Sequence, residues 1–170
     1  IAQWFKIDAS KLLKNSFGGS GYDIACAQND TPILYQLEQE KPIVETVQFN
    51  PTFSKNLYFV YLNQKQNSKT AIASYKEKKK DLESQKEVIN QITQKILGAE
   101  NKNVFAETLE NHEKIMSSIL ETKTVKETLF PDFNGTIKSL GAWGGDFVLV
   151  VSEENPKSYF LDKGYETVIP

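Results

Sequence analysis

The sequence predicts an α+β fold, with strands from both parts of the chain in a sheet and helices gathered in the middle covering one side. Three observations carry this. Apolar, β-branched and aromatic runs recur before and after the middle of the chain. Apolar positions at helical spacing fill the middle. Two glycine-rich stretches, far apart, each end in a carboxylate and lead into an apolar run.

Taken in order, Trp4, Phe5, Ile7, Leu12 and Leu13 make an apolar lead-in that reads as one helix. Ile24-Ala25-Cys26-Ala27 begins a helix or a buried turn. Residues 32–37 and 42–47 read as strands joined by the polar Glu38-Gln39-Glu40-Lys41 connection. Residues 56–62, aromatic and apolar, form a third strand. Residues 71–82 are a polar helix whose Lys76-Glu77-Lys78-Lys79-Lys80 run reads as a solvated face. Val88, Ile89, Ile92 and Ile96 define one buried helical face that stops at Gly98. Phe105, Leu109, His112, Met116, Ile119 and Leu120 repeat it, with Asn103 as the expected N-cap. Thr136-Ile137-Lys138 leads as a strand into the second glycine stretch, and residues 146–151 leave it as another. Residues 155–163 suit a short helix and 166–169 a final strand.

Charged residues make up 25% of the chain and the net charge is −2, so nothing calls for a nucleic-acid or membrane surface. All 20 basic residues are lysines, which excludes an arginine finger from within these residues. The lone Cys26 excludes an intramolecular disulfide and a multi-cysteine zinc site, and reads as a small buried hydrophobe. No apolar run is long enough to span a bilayer and no signal peptide is evident, so a soluble, cytoplasmic protein is expected. The start at Ile1 and the strand-like close at Pro170 read as cuts. Catalytic groups would then lie outside the segment.

The first glycine stretch is Phe17-Gly18-Gly19-Ser20-Gly21-Tyr22-Asp23. A rigid glycine turn would present Asp23 as a base or orienting carboxylate, with Ser20 and backbone N–H groups facing an anion. The competing reading is a loop whose aspartate caps the next helix. The second stretch, residues 138–146, places three glycines within residues 141–145, more than a tight hairpin needs. Its N–H groups would form an anion-binding nest, and Lys138 would add a point charge. Neither stretch has the P-loop or dinucleotide-binding spacing.

Lys65 and Lys69 flank Ser68, a helix N-cap whose free N–H groups favour phosphate; an ordinary cap explains the same residues. His112, the one histidine, lies on an apolar stripe and reads as a satisfied core side chain.

Together these residues resemble the later part of a GHMP-family small-molecule kinase. Gly19-Ser20-Gly21-Tyr22-Asp23-Ile24-Ala25 resembles the G-S-G-x-D segment of the mevalonate and phosphomevalonate kinase branch, where the aspartate is the proposed catalytic base. Residues 138–146 resemble the family's third motif, K-x-[ST]-G-A-G-G-G-D/G, which lies against nucleotide and substrate. Asn111-His112 falls where the family often has an N-H pair in a core helix.

The resemblance implies a catalytic role for Asp23 and substrate contacts from Ser20, Lys65, Ser68 and Lys69. It implies phosphate contacts from Lys138, Gly141, Ala142, Gly144 and Gly145. The implied cofactors are ATP and Mg2+, with the metal ligands upstream. The implied partner is a small-molecule substrate such as phosphomevalonate or mevalonate, and a homodimer is admitted. Residues 1–48 would be the tail of the nucleotide-binding domain and 49–170 a ferredoxin-like C-terminal domain, inactive as this segment alone.

Trp143 stands where the third motif has glycine, and Leu140 where it has Ser or Thr. These departures support an alternative, a catalytically silent binding or regulatory module. A decarboxylase of the same superfamily ranks below both, because that branch typically lacks the G-S-G-x-D arrangement.

Overall fold

A computed structural model describes residues 2–16, 19–39, 41–64, 83–141 and 145–170. The chain divides into two compact units, Ile1–Asn50 and Pro51–Pro170. The predicted polar helix at 71–82 and its lysine run lie outside the described residues.

In the first unit the apolar lead-in forms two helices rather than the one expected, α1 (Ala2–Phe5) and α2 (Ala9–Ser16). The break has a local cause. Lys6 takes the left-handed conformation at φ 51°, and Asp8 restarts the helix by accepting from the Ser10 and Lys11 N–H groups at 2.7 and 3.2 Å. Those bonds hold the Asp8 carboxyl below its usual range. Helix α3 (Tyr22–Ala27) follows the first glycine turn. Strands β1 (Ile33–Glu38) and β2 (Lys41–Thr46) then pair antiparallel, from Ile33 opposite Thr46 to Glu38 opposite Lys41. Gln39 absorbs the tight reversal at φ 46°.

The second unit carries the larger core. Strand β3 (Leu57–Tyr61) alternates, with Tyr58 and Val60 buried and Phe59 exposed between them. Helix α4 (Glu83–Leu97) buries Ile92, and α5 (Lys102–Leu120) buries Phe105, Thr108, Leu109 and Glu113. The N-cap of α5 is Asn101, which accepts from Val104 N at 3.0 Å, and not the expected Asn103. Asn103 already lies inside the helix, where its side chain has no free amide ahead of it to cap. A capping box between Thr124 and Glu127 starts α6 (Val125–Leu129). Strands β4 (Thr136–Ser139) and β5 (Phe147–Val151), helix α7 (Lys157–Asp162) and strand β6 (Val168–Ile169) complete the unit.

The sheet runs β4-β5-β3-β6, every neighbouring pair antiparallel. Strands β3 and β4 are therefore parallel, with β5 inserted between them, which is the split βαβ of a ferredoxin-like sheet. The predicted α+β class is the observed one. One sheet face, carrying Tyr58, Val60, Ile137, Val148 and Val150, packs with Val125, Phe130, Phe133 and Phe160. Phe130 and Phe160 are fully buried and meet edge to face, their centroids 5.1 Å apart. Thr136 and Ser139 should face opposite ways, yet they bond Glu110 and Glu113 of one helix, at 2.9 and 2.7 Å. Helix α5 thus runs beside the outer strand β4.

Candidate functional site

The first glycine stretch makes a left-handed turn. Gly19 and Gly21 sit at φ 102° and 84°, conformations that cost a residue bearing Cβ. The Tyr35 hydroxyl on β1 donates to the Ser20 carbonyl, and Ser20 Oγ accepts from Tyr22 N at 3.3 Å. The Tyr22 and Tyr35 rings meet edge to face at 5.6 Å. The turn is thereby fastened to the hairpin, and Ser20 and Asp23 share one short stretch.

Gly21 occupies the N-cap of α3 with no side-chain cap bond, so Asp23 lies in the helix's first turn and does not cap it. Its side chain is exposed, in the first turn, where a helix's positive end favours a carboxylate. Cys26 is exposed, contrary to the buried position expected. The helix has only six residues, and its one buried position belongs to Ala25. The Tyr22 phenol is pushed up, first by its hydrogen bond with Cys26 and then by burial.

The second stretch is the connection between β4 and β5. Leu140 N donates to Phe147 O at 3.1 Å, and Gly141 turns the chain at φ 65° with open space where a Cβ would stand. On the return limb Gly145 is buried, and the Asp146 carbonyl accepts from Leu62 N at 2.7 Å, just past β3. The loop therefore hangs from two strand ends.

Lys138, expected as a free point charge beside this loop, is already engaged. Its ammonium lies 3.1 Å from Glu113 Oε1 and donates to the Ser139 carbonyl at 2.7 Å, while Ser139 Oγ donates to Glu113 Oε2 at 2.7 Å. Both charged side chains are largely buried, at 15% and 8% exposure, a setting where an ion pair needs all its polar atoms satisfied.

Sequence reasoning passed over Glu113, although a signal was there. It continues the Phe105, Leu109 spacing of the buried stripe, and a carboxylate at a core position must find a partner. Neighbouring His112 departs from the satisfied core histidine expected. Its Nδ1 is buried without a hydrogen-bond partner among the described residues. Burial, aided by the nearby Lys138 charge, pushes the imidazole down to about 4.

Ala142, Trp143 and Gly144 lie outside the described residues, as do Lys65, Ser68 and Lys69. Ser20 and Asp23 belong to the first unit, and Lys138, Gly141 and Gly145 to the second. Among the described residues no group of three or more His, Cys, Asp or Glu side chains gathers to hold a metal, and no helix is long and apolar enough to cross a membrane.

No family model matches the sequence. No curated protein matches it either. Solved structures do share the fold. A Lin0012 protein from Listeria innocua superposes with a TM-score of 0.69 at 15% identity, over 94% of this chain and 56% of that one. Streptococcus pneumoniae phosphomevalonate kinase, in complex with phosphomevalonate and AMPPNP, superposes with a TM-score of 0.69 at 17% identity, over 98% of this chain and 63% of that one. The fold is accordingly shared with these two proteins, and the chain spans less than two thirds of each.

Proposed function

We propose that this chain is the later part of an ATP-dependent small-molecule kinase of GHMP type, acting on an anionic metabolite for which phosphomevalonate and mevalonate are the first candidates. The observation that carries the reading is the coincidence of fold and turns. A chain sharing its fold with a phosphomevalonate kinase sets left-handed glycines at a helix start bearing Asp23 and at the root of the β4–β5 loop. On this reading residues 1–48 close the nucleotide-binding domain and 49–170 form the C-terminal domain.

Phosphoryl transfer demands positioning and charge stabilisation more than covalent chemistry from the protein. Asp23 takes the proton of the acceptor oxygen as that oxygen bonds to the γ-phosphorus and the bond to the ADP leaving oxygen breaks. An acceptor that is itself a phosphate needs only orientation from the same carboxylate. Ser20, Lys65, Ser68 and Lys69 hold the substrate anion. The backbone N–H groups of Gly141, Ala142, Gly144 and Gly145 receive the transferring phosphate, a task glycine permits because the backbone can approach closely. Lys138, paired with Glu113, serves the loop's root more than it offers a free charge. Mg2+ carried on ATP would neutralise charge on the β- and γ-phosphates, and needs only one or two carboxylates from the protein, placed here outside the segment.

The test is Asp23→Asn in the full-length protein, assayed for transfer from ATP to phosphomevalonate and to mevalonate. Turnover should fall by about 10²–10⁴-fold while AMPPNP affinity is retained. A second reading, a silent binding module, rests on Trp143 and Leu140 in the third motif. Wild-type protein that binds AMPPNP yet transfers phosphate to neither acceptor would favour it.

A further inference from the structure

Glu113 has no place in the mechanism above, yet it is among the most deeply buried charged side chains described. Its side chain is 8% exposed, and both oxygens are committed: Oε1 to Lys138 Nζ at 3.1 Å and Oε2 to Ser139 Oγ at 2.7 Å. Lys138 Nζ closes the ring by donating to the Ser139 carbonyl at 2.7 Å. An apolar residue here would extend the Phe105, Leu109 stripe without the desolvation a carboxylate suffers, so the ion pair is a poor device for stability alone.

What the ring does is grip one residue. Ser139 is held through both its hydroxyl and its carbonyl, and it is the last residue of β4, directly before Leu140 and the left-handed Gly141. The gripping carboxylate stands on α5, a helix of 19 residues capped by Asn101, so the anchor is stiff.

We propose that Glu113 is a positioning residue: it fixes the root of the β4–β5 loop at Ser139 and so sets the direction in which the backbone N–H groups of Gly141 and Gly145 meet phosphate. This rests on the kinase reading for its function, though the anchor can be tested without it. Loop N–H groups stabilise a transition state only when held within a fraction of an ångström of the developing charge.

The experiment compares Glu113→Gln, Ser139→Ala and the double variant in the full-length protein. It reads urea midpoints, amide hydrogen exchange of residues 140, 141, 145 and 146, and kcat and KM with ATP and phosphomevalonate. Each single variant should raise exchange in the loop at least tenfold and lower kcat by about 10–100-fold, with the phosphomevalonate KM within twofold. The double variant should lose no more kcat than Glu113→Gln alone, because both changes cut one anchor. A role in stability alone would move the midpoints and leave kcat and loop exchange as in the wild type; that outcome overturns the proposal. Should Glu113→Gln fail to fold, Ser139→Ala decides by the same readouts. Should the wild type transfer no phosphate, the kinase reading fails, and the exchange measurement alone decides whether the anchor exists.

Discussion

Leu62 donates its backbone N–H to the carbonyl of Asp146 at 2.7 Å, so the return limb of the glycine loop continues the ladder between β3 and β5. The Leu62 side chain is 2% exposed and belongs to the main core. One residue therefore joins packing to loop geometry. Leu62→Ala should cost about 2–5 kcal/mol through lost burial and the cavity left behind, read as a lowered urea midpoint. A midpoint within error of the wild type would contradict the packing described.

Gly135 is a steric requirement rather than a flexible joint. A Cβ there would stand 2.6 Å from Phe133 Cε1 and 2.7 Å from the carbonyl oxygen of Val151, and the backbone atom cannot yield without moving β5. Gly135→Ala should destabilise by about 1–3 kcal/mol. Gly98→Ala, whose Cβ would meet only Gln94 O at 3.5 Å, is the control and should shift the urea midpoint far less.

Burial holds His112 neutral in the fold, its pKa pushed down to about 4 from 6.5, with Lys138 adding repulsion and Glu113 opposing. Between those two pH values the unfolded chain binds more protons than the folded one. Stability should therefore be full above pH 6.5 and fall as the pH drops toward 4, by about 2 kcal/mol once partial exposure is allowed for. His112→Gln should flatten the urea midpoint across that window. An unchanged slope would show that other groups titrate there.

Much of the fold was legible because single segments speak for themselves. The residues of β3 alternate inward and outward on their own, and Phe105 and Leu109 mark a helical face without help from elsewhere. Boundaries were harder. Asn101 and Asn103 are the same residue type two positions apart, and only the φ of 101, extended at −145°, decides which one caps. Cys26 was misplaced because burial depends on what a short helix packs against. The state of Lys138 was hidden for a deeper reason: its partner lies on another element, and a pairing across so much sequence leaves no local pattern. Tyr35, which fastens the first glycine turn, was hidden in the same way.

The two margins of the larger sheet are unequal. Along β4, Glu110 and Glu113 of the long helix α5 hold Thr136 and Ser139, while at the other side β6 pairs with β3 through Phe59–Ile169 and Val60–Val168. A neighbouring molecule seeking to add itself to β4 by backbone pairing would meet a flank lined by the charged side chains of Glu110, Glu113 and Lys138. That flank is therefore a poor template for polymerisation.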